Sequence, residues 1–269
     1  MPINEIEVPG SSLSLNCYKC QVDSAPKLVI RIAKEGDAFN LEEETPGFHD
    51  LDHDENIVRG YYSSVVAFEV DEVVEGLTTS TLHNRIDSCE FLLAGGYAFF
   101  LGKSASQKSL AQALSTLTGY GVAALELEFA ELAQFHDRLS QVKSVALTNP
   151  KDREIRRAKL TGQIESYTDY NVVDPRNHGI DSVSGLVDSP IGPMTVTVNR
   201  KGALRLAVRK GFILPVDCLL WVVSLVMDAK PPEFITPMQK KADEDQAAFY
   251  AEREDGEPVL PAEKKGVLD

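Results

Sequence analysis

Met194, Val196 and Val198 alternate with polar residues, and Leu204, Leu206 and Val208 do so again after the turn residues Asn-Arg-Lys-Gly at 199–202. Period-two alternation on both sides of a short turn specifies an antiparallel hairpin with one apolar face. A hairpin alone cannot cover that face. It needs more strands beside it and a layer of helix or sheet against it.

The segments that could supply those layers follow from the same periodicities. Leu13, Leu15 and Cys17 alternate, and Leu28, Ile30 and Ile32 alternate after a break at residues 24–26, so two strands are expected there. Residues 63–70 are β-branched and aromatic enough for another strand. Residues 91–101 are apolar around Gly95-Gly96, which implies one kinked strand or a tight hairpin. A helix is expected from Ser104, with Gln107 in capping-box position, the stripe Leu110, Ala113, Leu114, Leu117, and Gly119 to close it. A strand over 122–127, a helix carrying Phe129, Leu132, His136 and Leu139, and a strand over 145–147 complete a β-α-β-α-β order. Leu160, Gly162 and Ile164 suggest a further strand, and Pro215 suits the first turn of a helix holding Leu219, Val223 and Val226.

The fold class that results is α+β: a strand-rich N-terminal part packed on the β-α-β-α-β middle, closed by a C-terminal antiparallel hairpin and helix. The expected divisions are 1–88, 89–235 and a charged, partly disordered tail over 236–269. With 269 residues, 43% hydrophobic and 25% charged, the composition is that of a globular chain able to bury a sizeable core. The longest apolar run, 218–227, is broken by Ser224 and is far below the roughly 20 residues that span a bilayer. The first residues lack a basic segment followed by an apolar one, and four cysteines make no disulfide framework. A soluble protein of the reducing cytoplasm is the expectation.

Charge is segregated along the chain. Residues 35–75 hold thirteen Asp or Glu and one cation, Arg59, a local −12 within a total of −14. Residues 151–210 hold eleven Lys or Arg against seven acids, a local +4. A chain polarised in this way can present an anionic face to one partner and a basic face to another.

Candidate sites are few. Cys17-x2-Cys20 followed by His49-x3-His53 has zinc-type donors, but twenty-eight residues separate the pairs and the cysteines lie in an expected strand, where positions three apart diverge. His49, Asp50, Asp52 and His53, within the run to Glu55, could gather oxygens and imidazoles around a divalent ion. They lack the mid-loop glycine and closing Glu of a calcium loop, and the favoured reading of the acidic stretch 36–56 is an exposed, solvated loop. Asp169, Asp174, Arg176, Asn177, His178 and Asp181 crowd a polar stretch that reads as a general-base site or as plain turns. Ser184 and Ser189 are nearby without a nucleophile elbow. His136 sits on an apolar helix face, as core histidines do. Neither Gly95-Gly96 nor Gly119-Tyr120-Gly121 fits a phosphate-binding fingerprint. Arg153, Arg156, Arg157, Lys159, Arg200, Lys201, Arg205, Arg209 and Lys210 form a set able to track phosphates.

No catalytic signature stands out and no cofactor is implied. The first reading is therefore a non-enzymatic interaction or regulatory protein with segregated acidic and basic faces that self-associates or meets a protein partner. The alternative is a sequence-nonspecific nucleic-acid-binding protein of a bacterial mobile-element or defence system. A metal-dependent hydrolase built on the His49–Glu55 run is the second alternative.

Overall fold

The computed structural model describes residues 2–8, 10–74, 77–149, 151, 156–164 and 179–227. Among them, strands β1 (Glu5–Glu7) and β2 (Ser12–Lys19) precede helix α1 (Ala25–Glu35). A meander follows: β3 (Gly47–His53), β4 (Val58–Val74), β5 (Leu77–Ala94) and β6 (Tyr97–Leu101). Then come α2 (Gln107–Thr118), β7 (Ala123–Ala124), α3 (Phe129–Asp137), β8 (Gln141–Thr148) and β9 (Arg157–Ile164). The last elements are β10 (Gly179–Ser189), β11 (Gly192–Asn199), β12 (Ala203–Ala207), β13 (Ile213–Pro215) and α4 (Val216–Val226). The class is α+β.

Eleven strands form one sheet in the order β3-β4-β5-β6-β2-β12-β11-β10-β8-β9, with β7 alongside β2, and every pairing is antiparallel. Separately, β1 pairs with β13. Tyr18 of β2 pairs with Ala98 on one side and Ala124 on the other. Helix α2 therefore carries the chain across β2, and the expected β-α-β-α-β order is realised as β6-α2-β7-α3-β8 around an antiparallel neighbour. Met1–Pro232 form one compact unit. The expected boundary after residue 88 falls inside β5, and the expected tail at 236–269 lies outside the described residues.

Period-two alternation sorts side chains to two faces. On one, Phe48, Val58, Tyr62, Cys89, Phe91, Leu93, Ala98 and Phe100 meet Leu28 and Ile32 of α1 and Leu110, Leu114 and Leu117 of α2 in a continuous core. Leu92 and Phe99, on the other face of the same strands, are also fully buried. Fully burying side chains of this size stabilises by about 1.5–3 kcal/mol each. In the second half of the sheet α3 packs on β10 and on α4, and Val183, Val187, Val196, Val198, Leu204 and Leu206 form the buried face.

The hairpin expected over 194–208 is present in register Val196↔Leu206 and Val198↔Leu204. Its turn is fixed by Asn199 Oδ1, which accepts from the N–H groups of Lys201 and Ala203, both at 3.0 Å. Gly95 and Gly96 form the two-residue turn of a tight hairpin, with Ala94 paired to Tyr97 and φ of 57° and 83°. Only glycine adopts positive φ at both turn positions without cost.

Three local expectations are corrected. Residues 25–35 are helix, not strand. Ser24 and Pro26 stand where a helix starts, Leu28 and Ile32 lie one turn apart and buried, and Ile30 is 54% exposed, so only Leu28 and Ile32 belong to the helical stripe and Ile30 lies off it. The acidic stretch 36–56 is not wholly an exposed loop, because its second half is β3, anchored by buried Phe48 and by Gly47, whose Cβ position would strike the backbone of residues 37–39. Helix α2 begins at Gln107 after Ser106, two residues later than expected. Among the described residues, no helix is long and apolar enough to cross a membrane.

Candidate functional site

The longest strand pairing among the described residues leaves the body of the sheet. Strands β4 and β5 are matched without a bulge from Val58↔Leu93 to Val74↔Leu77. Strand β3 pairs with β4 only as far as Ser63, and β6 pairs with β5 only from Glu90. Beyond those points the two strands form a ribbon with two open edges. Its distal eight pairs, from Ala67↔Asn84 outward, extend roughly 25 Å at the usual strand rise. Phe68, Val73, Leu82 and Ile86 on it are 39%, 70%, 66% and 47% exposed.

Both faces of the ribbon carry apolar groups. Val66, Phe68 and Val70 share one face with Arg85 and His83, and the Arg85 guanidinium lies 5.8 Å from the Phe68 ring centroid. Val65, Ile86, Ala67, Leu82 and Val73 share the other. Glu69 and Asp71 lie on β4, whereas β5 from residue 78 to 84 (Thr-Thr-Ser-Thr-Leu-His-Asn) has no Asp, Glu, Lys or Arg. Ser80 Oγ donates to Asp71 across the ribbon, and Asn84 Nδ2 donates to Glu44 Oε1 at 3.1 Å.

A second surface lies at the opposite end of the strand order. Because Val183, Val196, Leu204 and Val145 point to the core, their alternating partners form an outer face. Ser182 and Ser184 occupy it on β10, and Thr195 and Thr197 on β11, with Ser184 and Thr197 hydroxyls 2.8 Å apart. Arg205 on β12 stands opposite Thr197 and reaches Ser12 Oγ at 3.2 Å. Arg157 and Lys159 on edge strand β9 pair with Thr148 and Ala146, the outer positions of β8. Lys143, at a bulge in β8, extends its Nζ across β10 to Thr195 Oγ1 at 2.7 Å. All four cations are exposed.

The sequence-derived cationic set is thereby divided. Arg157, Lys159 and Arg205 share the outer face. Arg200 does not: its guanidinium lies 4.2 Å from the Phe129 ring centroid on α3, the opposite side of the sheet. Arg156, Lys201, Arg209 and Lys210 are exposed at turns, and Arg153 lies outside the described residues. Lys143 was not in the set. Its signal, one cation among alternating Ser and Thr partners, becomes readable only once the strands are placed side by side.

The histidine and aspartate run is strand and turn. Asp50 has φ of 50° and the register slips by one residue between His49 and Asp52. His49 then pairs with Tyr61 and His53 with buried Val58, which puts the two imidazoles on opposite faces of β3. His49 bonds Asp50 Oδ2 through Nδ1 at 2.9 Å and Ser63 Oγ through Nε2 at 2.8 Å. Asp52 Oδ1 accepts from the His53 N–H, and Asp54 Oδ1 from the N–H groups of Asn56 and Ile57. These carboxylates make turns. Among the described residues, no three His, Cys, Asp or Glu side chains are grouped to hold a metal ion.

All four cysteines are free and buried. Burial pushes the thiols of Cys17, Cys89 and Cys218 up to about 12 and that of Cys20 to about 11, so none is a thiolate near neutrality. Cys20 belongs to the core under α1 and α2, and Cys17, three residues earlier, points to the other face.

A cleft of about 540 Å³ lies where the starts of α1 and α4 meet the β5–β6 turn, with Asp23, Asp54, Glu55 and Asp217 among its lining. It offers carboxylates and backbone, with no imidazole among its lining residues. His136 is 5% exposed with Nδ1 3.0 Å from Asp137 Oδ1, a core position on α3. Ser189 Oγ donates to Gly192 O at 2.5 Å within the β10–β11 turn. Residues 165–178, with Asp169, Asp174, Arg176, Asn177 and His178, lie outside the described residues. No protein-family model matches this chain, and no curated protein matches it.

Proposed function

We propose that this protein is a non-enzymatic interaction protein that self-associates through the outer edge of β5. The observation that carries this reading is the β4–β5 ribbon. A two-stranded ribbon of this length is marginally stable on its own in water, and an open strand edge templates another strand. Proteins that keep such edges free protect them with Lys, Pro or a bulge. Residues 64–89 contain no Lys and no Pro, and the β4–β5 register runs without a slip.

The occupant that fits is a second copy. Two β5 edges meeting antiparallel across a two-fold axis would bring the uncharged residues 78–84 together without like-charge contact. The β4 edge, with Glu69 and Asp71, would repel its own copy. Leu82 and Ile86 of β5 would then be covered in the same step. Segregated charge supports the same reading, since the acidic segment lies on β3, β4 and their loops, and the cationic face lies at the β9 end of the sheet. Free, buried thiols fit a reducing cytoplasm.

Sedimentation equilibrium over a concentration series tests the reading. The wild-type chain is expected to dimerise and the Thr79→Lys/Thr81→Lys variant to stay monomeric with an unchanged far-ultraviolet spectrum. A wild-type chain that stays monomeric to its solubility limit, or a variant that dimerises equally well, overturns it.

A further inference from the structure

We infer that the outer face of β12-β11-β10-β8-β9 binds the phosphate backbone of duplex DNA without sequence preference. The four exposed cations Lys143, Arg157, Lys159 and Arg205 share this face with Ser and Thr hydroxyls. Cationic side chains and hydroxyls are the groups that position a protein on phosphates. From Arg205 on β12 to Lys159 on β9 is four strand steps, roughly 19 Å at the usual strand spacing.

That breadth decides how the duplex is met. The major groove, about 12 Å wide, admits one helix or a two-stranded ribbon. A five-stranded face cannot enter it and rests on the phosphates that border it, so base edges stay unread. Absence of aromatic rings decides between duplex and single strand. Single-strand binders stack bases on aromatic side chains, and among the described residues the outward positions of these strands are Ser, Thr, Ala, Asn, Gln, Leu, Arg and Lys, with half-buried Asp181 at the β10 bulge and Asp188 and Pro193 at one hairpin end. Asp181 and Asp188, near the two ends of β10, mark the limits of the site, since a carboxylate repels phosphate. The acidic segment is at the β3 end of the strand order, away from this face, which is how a chain of net charge −14 can present it.

Fluorescence anisotropy with a short mixed-sequence duplex DNA, repeated from 50 to 200 mM salt, tests the inference. Four phosphate contacts give a log–log salt slope of about −3.6, a loss of about 150-fold in affinity over that range. Each of Lys143→Gln, Arg157→Gln, Lys159→Gln and Arg205→Gln is expected to reduce the slope by about 1, and the quadruple variant to abolish binding. Arg200→Gln, whose guanidinium sits on Phe129, leaves binding unchanged. No binding at 50 mM salt, equal binding by the quadruple variant, tighter binding to the single strand, or binding to phosphatidylserine vesicles but not to DNA would overturn it. Because none of these residues lies on the ribbon, sedimentation of the same variants separates this inference from the self-association reading: their oligomeric state is expected to match wild type.

Discussion

The carboxylate of Asp87 and the N–H and hydroxyl of Ser106 are joined by two hydrogen bonds of 2.9 Å each, which fasten the base of the β4–β5 ribbon to the start of α2. Ser104 Oγ adds a third at 2.6 Å, and the Ser106 hydroxyl is also 2.7 Å from that of Ser64 on β4. The ribbon therefore leaves the sheet from a fixed root.

That root is sensitive to acid. Burial pushes the Asp87 carboxyl up, but the hydrogen bonds from Ser104 and Ser106 outweigh it and hold the group below its ordinary value. A depressed folded pKa contributes stability that is present above the unfolded value of about 3.9 and is lost as pH falls through the folded pKa. Asp87→Asn is expected to lower the thermal midpoint at neutral pH and to shrink its decline between pH 5 and the acid limit. Thermal melts across that range check both.

Helix α1 and helix α2 make a paired prediction. Leu114→Ala removes a fully buried side chain and is expected to cost about 2–5 kcal/mol. Ile30→Ala, at a 54% exposed position of α1, is expected to change stability by less than about 0.5 kcal/mol. Urea denaturation of the two variants measures both, and a large loss at Ile30 would favour a strand there.

Arg59 ties the sheet to the N-terminal strand. Its Nη2 and Nε reach Glu90 Oε1 at 2.5 and 2.7 Å, and its Nη1 donates to Glu5 O at 2.6 Å. Arg59→Ala is expected to destabilise by about 1–3 kcal/mol, because it strands a half-buried carboxylate and a carbonyl. Arg59→Lys restores only part, since an ammonium cannot hold both partners in one fork. Denaturant unfolding with hydrogen exchange at Glu5–Glu7 reads the effect.

Thiol chemistry gives another check. With all four cysteines buried and their thiols pushed to about 11 or 12, a disulfide reagent at pH 8 is expected to label the folded chain slowly and all four sites rapidly in guanidinium. Two sites reacting at once in the folded state would contradict the burial of Cys17 and Cys20.

Legibility of the fold followed the strength of each local pattern. The 194–208 hairpin could be read because alternation and turn chemistry agreed, and Gly119 because a left-handed helix end needs a residue without Cβ. Helix α1 was misread because Leu28 and Ile32, four residues apart, fit both periodicities, and the apolar Ile30 between them completes a strand pattern although it faces solvent. Strand β5 was unreadable before Phe91, since residues 77–90 are mostly polar and pair only because β4 lies alongside. At the candidate surfaces, Arg157, Lys159 and Arg205 were legible as cations, but their common face and the exclusion of Arg200 depend on register, which sequence spacing does not encode.

Hydrogen exchange of the amides in residues 78–84, followed by mass spectrometry at rising protein concentration, tests the self-association account most directly. The account predicts protection that grows with concentration in the wild-type chain and is absent in Thr79→Lys/Thr81→Lys. Amides that exchange at one concentration-independent rate in both chains would contradict it.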